Sequence, residues 1–496
     1  MGTWARALLG STLLSLLLAA APGALGTNPG LITRITDKGL EYAAREGLLA
    51  LQRKLLGVTL PDFDGDFRIK HLGRAQYKFY SLEIPRFELL RGTLRPLPGQ
   101  GLSLDISDAY IHVRGSWKVR KAFLRLKNSF DLYVKGLTIS VHLVLGSEPS
   151  GRPTVTTSSC SSDIQNVELD IEGDLEELLN LLQSQIDARL REVLESKICR
   201  QIEEAVTAHL QPYLQTLPVT TQIDSFAGID YSLMEAPRAT AGMLDVMFKG
   251  EIFPLDHRSP VDFLAPAMNL PEAHSRMVYF AISDYVFNTA SLAYHKSGYW
   301  NFSITDAMVP ADSNIRLTTK SFRAFVPRLA KLYPNMNLEL QGSVASAPLV
   351  NLSPENLFAA PQMDIEAFVV LPSSAREPVF RLGVATNVSA TLTLNTSKIT
   401  GFLKPGRWPV WSQCTSPVLH QVELLEALLN YYILNNLYPK VNEKLAHGLP
   451  LPLLRHIQLY DLLLQTHEVT GGGPTGGHNW AGGTQPSPAP REASMG

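Results

Sequence analysis

The densest set of side chains able to bind something lies in Ile111–Lys127, IHVRGSWKVRKAFLRLK. Arg114, Lys118, Arg120, Lys121, Arg125 and Lys127 put six cations there, and the nearest acids, Asp108 and Asp131, lie outside it. Alternation sets Ile111, Val113, Trp117 and Val119 on one face of an extended strand, and His112, Arg114, Ser116, Lys118 and Arg120 on the other. One face can be buried while the other carries positive charge. The alternation breaks after Lys121, and Phe130, Leu132 and Val134 begin a new period-two strand, so Lys121–Lys127 is expected to form the exposed tip of a long hairpin. Cations beside Phe123, Leu124 and Leu126 suit an anionic amphiphile, because guanidinium and ammonium groups pair with anions while apolar side chains enter an acyl layer. A solvated basic hairpin that only protects an edge strand would show the same pattern.

Other chemistry has no foothold. The chain contains no G-x-S-x-G elbow, no H-E-x-x-H, no Walker loop and no zinc-type cysteine pairs. The twelve histidines are scattered and read as satisfied surface or core residues. Asp62, Asp64 and Asp66 in PDFDGDF alternate like calcium ligands but lack the spacing and closing glutamate of a calcium loop, so they read as a turn. No catalytic residue, metal ligand or resident cofactor is expected. A balance of 44 Lys+Arg against 46 Asp+Glu, net charge −2, speaks against nucleic acid as a partner.

The chain has 496 residues, 45% hydrophobic and 18% charged, enough for two or three ordinary domains. Residues 1–26 read as a secretory signal peptide: Arg6, an apolar run from Ala7 through Ala21, then small residues at the cut. The mature chain is therefore expected to be secreted. Secretion permits disulfides, and the three cysteines are Cys160, Cys199 and Cys414. A bond between the first two would close a loop of about forty residues, worth roughly 4 kcal/mol at most, and would leave Cys414 the odd one out. Sequons at Asn301, Asn351, Asn387 and Asn395 would clothe the second half alone.

The positioning elements follow from periodicity. Thr36–Gly39 opens a helix striped by Leu40, Ala44, Leu48, Leu51 and Leu55, which Pro61 stops. Strands are expected at 67–72, 76–85, 102–117 and 129–145, with a bulge at Lys135-Gly136 where the apolar phase slips. Asp174–Glu177 opens a long helix striped by Leu175, Leu178, Leu182, Ile186, Leu190, Val193, Ile198 and Ile202. Core packing is the simpler use of that stripe, and a trough for lipid chains is the other. The second half repeats the scheme: strands near 243–253, 277–288, 337–344, 363–371 and 380–394, a short helix at 322–332, and a long helix at 422–445 striped by Leu425, Leu428, Leu429, Tyr432 and Leu437. That parallel argues for duplication.

Several longer segments carry a resemblance: NPGLITRITDKGLEYAAREGLLALQ, SWKVRKAF, PTVTTSSCSSDI, LQPYLQTLPVTTQIDSFAGIDYSL, MVYFAISDYVFNTA and NFSITDAMVPADSNIRLTTKSFRAFVPRLAKLYPNMNLELQG. They resemble the family of bactericidal/permeability-increasing protein and the plasma lipid-transfer proteins. The similarity runs from 28 to 406 and resumes from 423 to 466.

The resemblance implies an α+β fold, an elongated boomerang of two barrel-like domains. Each is a highly twisted antiparallel sheet with long amphipathic helices, the two are joined by a central sheet, and each holds a phospholipid in an apolar pocket. The expected division is 27–217, a connector and central sheet at 218–240, and 241–469, followed by a disordered tail at 470–496.

The resemblance further implies a Cys160–Cys199 disulfide and contact with the lipid A part of bacterial lipopolysaccharide at Arg120 and Lys121. Trp117 and Lys118 lie in the same stretch, and Arg114, Arg125 and Lys127 complete the cationic set. It implies that the second half hands lipopolysaccharide, taken from aggregates or the bacterial outer membrane, to a myeloid co-receptor. A bactericidal member should be strongly basic, which a net charge of −2 opposes; a phospholipid transfer protein would need the pockets and not the tip. Two segments depart from the family pattern. Residues 407–420 hold Pro409, Pro417 and Cys414 where a charged strand is expected, so that strand should be lost or displaced. Beyond His467 a glycine-rich tail replaces an aromatic-rich strand.

Overall fold

The computed structural model describes residues 28–69, 73–121, 124–171, 176–270, 272–311, 316–324, 326–353, 356–385, 387–404, 410–412, 422–468 and 478–486. At 69, 121, 124, 171, 176–187, 190, 324, 410–412, 422–425, 464–468 and 478–486 only the backbone is described. The expected signal peptide, Cys414, Asp174 and Leu175 lie outside the described residues.

The N-terminal sheet contains β2 (Phe63–Ile69), β3 (Gly73–Glu88), β4 (Arg91–Leu97), β5 (Gly101–Lys121), β6 (Leu124–Ser147) and β7 (Pro153–Ile171). Its order is β2-β3-β5-β6-β7, with β4 also paired to β5. Strands of up to 24 residues stay in one sheet because bulges curl it. The β5–β6 register shifts between Ile106 and Ala109 and again between Ala109 and Ile111, where Gly136 takes the positive φ of 67° that glycine tolerates. The bulge expected at Lys135-Gly136 is thus present. The strand expected to begin at Phe67 already begins at Phe63, inside the stretch read as a turn, because Phe63 and Phe67 alternate inward with Asp64 and Asp66 outward.

Helices α1 (Asp37–Leu55) and α2 (Glu176–Ala205) close this unit. Leu40, Ala44, Leu48 and Leu55 of α1 are buried, as the spacing requires. On α2 the buried stripe is Leu194, Ile198 and Ile202, continuing to Val206, so Leu194 and not Val193 sits inward. Each fully buried aliphatic side chain contributes about 1.5–3 kcal/mol. A Cys160–Cys199 disulfide ties α2 to β7.

The central sheet gathers β1 (Leu31–Thr36), β10 (Arg238–Thr240), β11 (Met243–Phe248), β13 (Val278–Ser283), β24 (Leu459–Glu468) and β25 (His478–Pro486), in the order β10-β11-β1-β13-β25-β24. β1 comes from the first turn of the chain and lies between β11 and β13, so this sheet draws on far more sequence than a 218–240 connector. A small sheet joins β8 (Thr220–Gln222) and β9 (Ala227–Asp230) of that connector region to β12 (Glu251–Pro254) beyond it. His478–Pro486, expected to lack structure, is a strand bonded on both sides, to β13 and β24. Ladders on both sides satisfy its peptide groups.

The C-terminal unit has two sheets. One is β14 (Phe302–Thr305), β15 (Asn337–Val344), β18 (Gln362–Val370), β19 (Arg376–Ala385) and β22 (Val410–Ser412), in that order. The other runs β16 (Val350–Ser353), β17 (Asn356–Ala359), β20 (Val388–Leu394), β21 (Lys398–Lys404) and β23 (Leu449–Pro450). The strand expected at 380–394 is therefore two strands in different sheets. The strand expected to be lost in the departing segment survives as the three residues of β22, paired to β19. The strand expected through Asn288 ends at Ser283, where α4 (Asp284–Lys296) begins; Tyr285, Val286, Thr289 and Ala293 repeat at helical spacing and are buried.

The short helix expected at 322–332 is divided, with a tight turn at Ser321–Ala324 and α5 as Pro327–Leu332. The long helices support duplication. α2 passes through a π-helical turn, Val206–Leu210, into α3 (Gln211–Leu214), which carries Pro212. In the second half α6 (Val422–Tyr432) passes through Ile433–Leu437 into α7 (Tyr438–His447), which carries Pro439. A proline lacks the N–H of the helical ladder, and in both halves the turn before it widens.

Candidate functional site

Lys121 pairs with Leu124, so β5 and β6 stay paired up to residues 122 and 123. Arg125, Leu126 and Lys127 are strand residues and not part of a loop. Asn128, opposite Trp117 on the inward-facing side, broke the apolar alternation and hid that continuity. Phe123 and the side chains of Lys121 and Leu124 lie outside the described part.

The two faces divide as the alternation required. Ile111, Val113, Trp117 and Val119 are buried, while Arg114 and Arg120 are exposed and Lys118 is half-exposed. Trp117, expected among the ligand contacts, is 4% exposed and points into the core. Its indole N–H has no hydrogen-bond partner.

The outer face is organised by register. Lys118 stands opposite Lys127 on β6 and opposite Lys78 on β3. Arg120 stands opposite Arg125 on β6 and Gln76 on β3. One row of three cations therefore crosses β3, β5 and β6, and beside it a pair of arginines spans β5 and β6, about 5 Å from strand to strand. Lys78 and the neighbouring Arg74 were missed in the sequence reading; pairing PDFDGDF with RAQYKFY as adjacent strands would have found them.

The counter-charges come from β2 and the residue before it. Lys78 meets Asp62 at 3.0 Å, and Arg74 meets Asp66 at 3.2 Å. The hydrogen bond from Lys78 holds the Asp62 carboxyl below the usual carboxylate range. The three aspartates that resemble calcium ligands are thus spread along a strand edge, two of them as counter-ions. Among the described residues no group of His, Cys, Asp or Glu could hold a metal.

Lys118 Nζ also lies 5.3 Å from the centre of the Tyr80 ring. Arg114 is committed elsewhere, because its guanidinium lies 3.0 Å from Asp131, which His112 also contacts at 2.6 Å. Burial opposes the charge on Asp131, but the hydrogen bonds from His112 and Arg114 outweigh it and hold its pKa below the usual range. Arg114 is therefore a weaker ligand candidate than its neighbours.

Beneath the helices, Leu55, Val58, Leu60, Ile84, Phe87, Ile111, Leu194 and Ile198 line an apolar crevice with Lys197 at its side. Its volume is about 10 Å³. The part of the α2 stripe whose side chains are described thus packs as core, beside a seam whose lining suits acyl chains but whose volume admits none in this conformation. Of the sequons, Asn351 is exposed on β16, Asn387 and Asn395 flank β20, and Asn301 precedes β14.

Two sheet-and-helix units joined by a central sheet are the architecture of a two-unit lipid-binding fold. Residues 39–213 match the N-terminal domain, and 221–470 the C-terminal domain, of the LBP / BPI / CETP family. The chain belongs to this family. It is 92% identical over 468 residues to lipopolysaccharide-binding protein of Oryctolagus cuniculus, covering 94% of this chain and 97% of that protein. It is 69% identical to the protein of the same name from Homo sapiens, with the same coverage. A crystal structure of lipopolysaccharide binding protein superposes with a TM-score of 0.66 at 57% identity, covering 92% of this chain and 99% of that one.

Proposed function

We propose that this chain is a secreted protein of innate immunity that binds lipopolysaccharide through lipid A at the cation rows of β3, β5 and β6 and passes it to a myeloid receptor. The observation that carries the reading is the placement of Lys78, Lys118 and Lys127, and of Arg120 with Arg125, opposite one another on adjacent strands. Like charges in that position oppose the fold, and an anion lying over them reverses the sign of the interaction. Lipid A offers phosphates flanked by acyl chains, which matches cations on the sheet with the apolar Phe123 and Leu124 adjoining them in the sequence. Relatives named for lipopolysaccharide, aligned over more than nine tenths of both chains, support the same reading.

The bacterial outer membrane is the source of the ligand in this account and the myeloid co-receptor its recipient. Phospholipid is a second cargo, for which the lining of the crevice fits acyl chains and Lys197 a headgroup phosphate. Binding and transfer break no covalent bond, so no catalytic group is invoked.

The test is binding of fluorescent lipopolysaccharide to the Arg120→Ala, Lys121→Ala variant, with extracted phospholipid measured beside it. Lipopolysaccharide binding should fall while phospholipid content stays. Equal loss of both would mean a damaged fold and would sink the assignment.

A further inference from the structure

Asn351 on β16 and Phe358 on β17 are direct cross-strand partners. The next pair, Leu352 and Leu357, is buried at 1% and 7%, so Asn351 and Phe358 share the opposite face, where Phe358 is 43% exposed. The same face continues through Ser389 and Thr391 on β20 to Lys404 and Phe402 on β21, and Phe402 is 57% exposed. Asn387 and Asn395 have the parity of Ser389 and Thr391, and both are exposed. The other face lies against α7, where the Leu403 N–H donates to Asn442 Oδ1 at 2.7 Å. Three of the four sequons therefore decorate one face of one sheet, and that face exposes two phenyl rings.

We infer that this is the glycan-bearing face of the protein, and that an N-glycan on Asn351 lies over Phe358, with glycans on Asn387 and Asn395 flanking the patch that includes Phe402. An exposed phenyl ring buries apolar area when the C–H face of a sugar ring covers it. Directly opposite residues have Cβ atoms about 5 Å apart, which sets the first sugar beside the ring. Asn301 precedes a strand of the other sheet and takes no part.

The modification forms a bond from Asn351 Nδ2 to C1 of the terminal N-acetylglucosamine of a polyprenyl-pyrophosphate-linked oligosaccharide. The C1–O bond to pyrophosphate breaks, the amide loses one proton, and the polyprenyl pyrophosphate departs. The inference rests on secretion and not on lipopolysaccharide binding, so either can fail without the other.

The full-length secreted chain is deglycosylated enzymatically in heavy-oxygen water, and labelled sites are mapped by mass spectrometry. Asn351 should carry the label; an unlabelled Asn351 overturns the proposal. Unfolding midpoints are then compared for the wild type, Asn351→Gln, Phe358→Ala and the double variant. Phe358→Ala should lower the midpoint by about 2 °C more in the glycosylated chain than in the Asn351→Gln background. Equal shifts in the two backgrounds overturn the packing. If Phe358→Ala does not fold, binding of a hydrophobic dye to the wild type before and after enzymatic release decides: a rise of about twofold supports the cover, and no rise overturns it.

Discussion

Lys118 and Lys127 stand directly opposite one another across β5 and β6, on the outer side of a sheet whose inner side holds Val119 and Trp117 in the core. Lys78 completes the row from β3, and Asp62 at 3.0 Å is its counter-ion. The hairpin therefore carries positive charge against its own electrostatics, at positions that the buried face prevents from moving. A rigid cationic surface with this spacing is preorganised for an anion.

Lys127→Glu converts a like pair into an opposite pair. The chain should gain about 0.3 kcal/mol in denaturant unfolding while its lipopolysaccharide binding weakens. Loss of both stability and binding would contradict the assignment of repulsion to this pair.

Asp62 competes with the ligand for Lys78. Asp62→Asn should strengthen lipopolysaccharide binding by about twofold, mainly through a faster on-rate, and Lys78→Ala should weaken it. Weaker binding by Asp62→Asn would show that the carboxylate positions Lys78 and does not compete.

Arg114 spends its charge on Asp131. Arg114→Ala should reduce binding less than Arg120→Ala, measured side by side at one salt concentration. A larger loss at Arg114 would return it to the centre of the site.

Asp230 is expected to contribute to acid sensitivity. Burial opposes its ionisation, but hydrogen bonds from Arg258 and Ser232 outweigh this and depress its pKa, and Asp131 and Asp224 are depressed too. A carboxyl whose folded pKa lies below its unfolded value of about 3.9 contributes stability above that pH, and the contribution is lost as pH falls through the folded value. Denaturant unfolding from pH 7 to 3 should show wild-type stability falling below about pH 4. Asp230→Asn should be less stable at neutral pH and flatter in acid. An unchanged slope in the variant would assign the acid transition elsewhere.

Much of this was legible in the sequence because burial imposes period. The inward set Ile111, Val113, Trp117 and Val119 and the α1 stripe follow from spacing alone. What stayed hidden was pairing between distant segments. Lys78 joins the site only through the β3–β5 register, and β1 joins the central sheet only through partners more than two hundred residues away. Trp117 was placed inward by its spacing, and its role as a ligand contact came from the resemblance alone; its burial removes it from the contacts. His478–Pro486 was missed because a glycine-rich strand shows no period, its order coming from backbone bonds supplied by β13 and β24.

The most direct test of the central claim is transfer of fluorescent lipopolysaccharide from aggregates to the soluble myeloid co-receptor, comparing the wild type with the Arg120→Ala, Lys121→Ala variant across salt concentrations. Wild-type transfer should fall as salt rises, since exposed charges are screened over about 10 Å at 0.1 M, and the variant should transfer little at any salt. Equal, salt-independent transfer by both chains would contradict the claim that the cation rows hold the ligand.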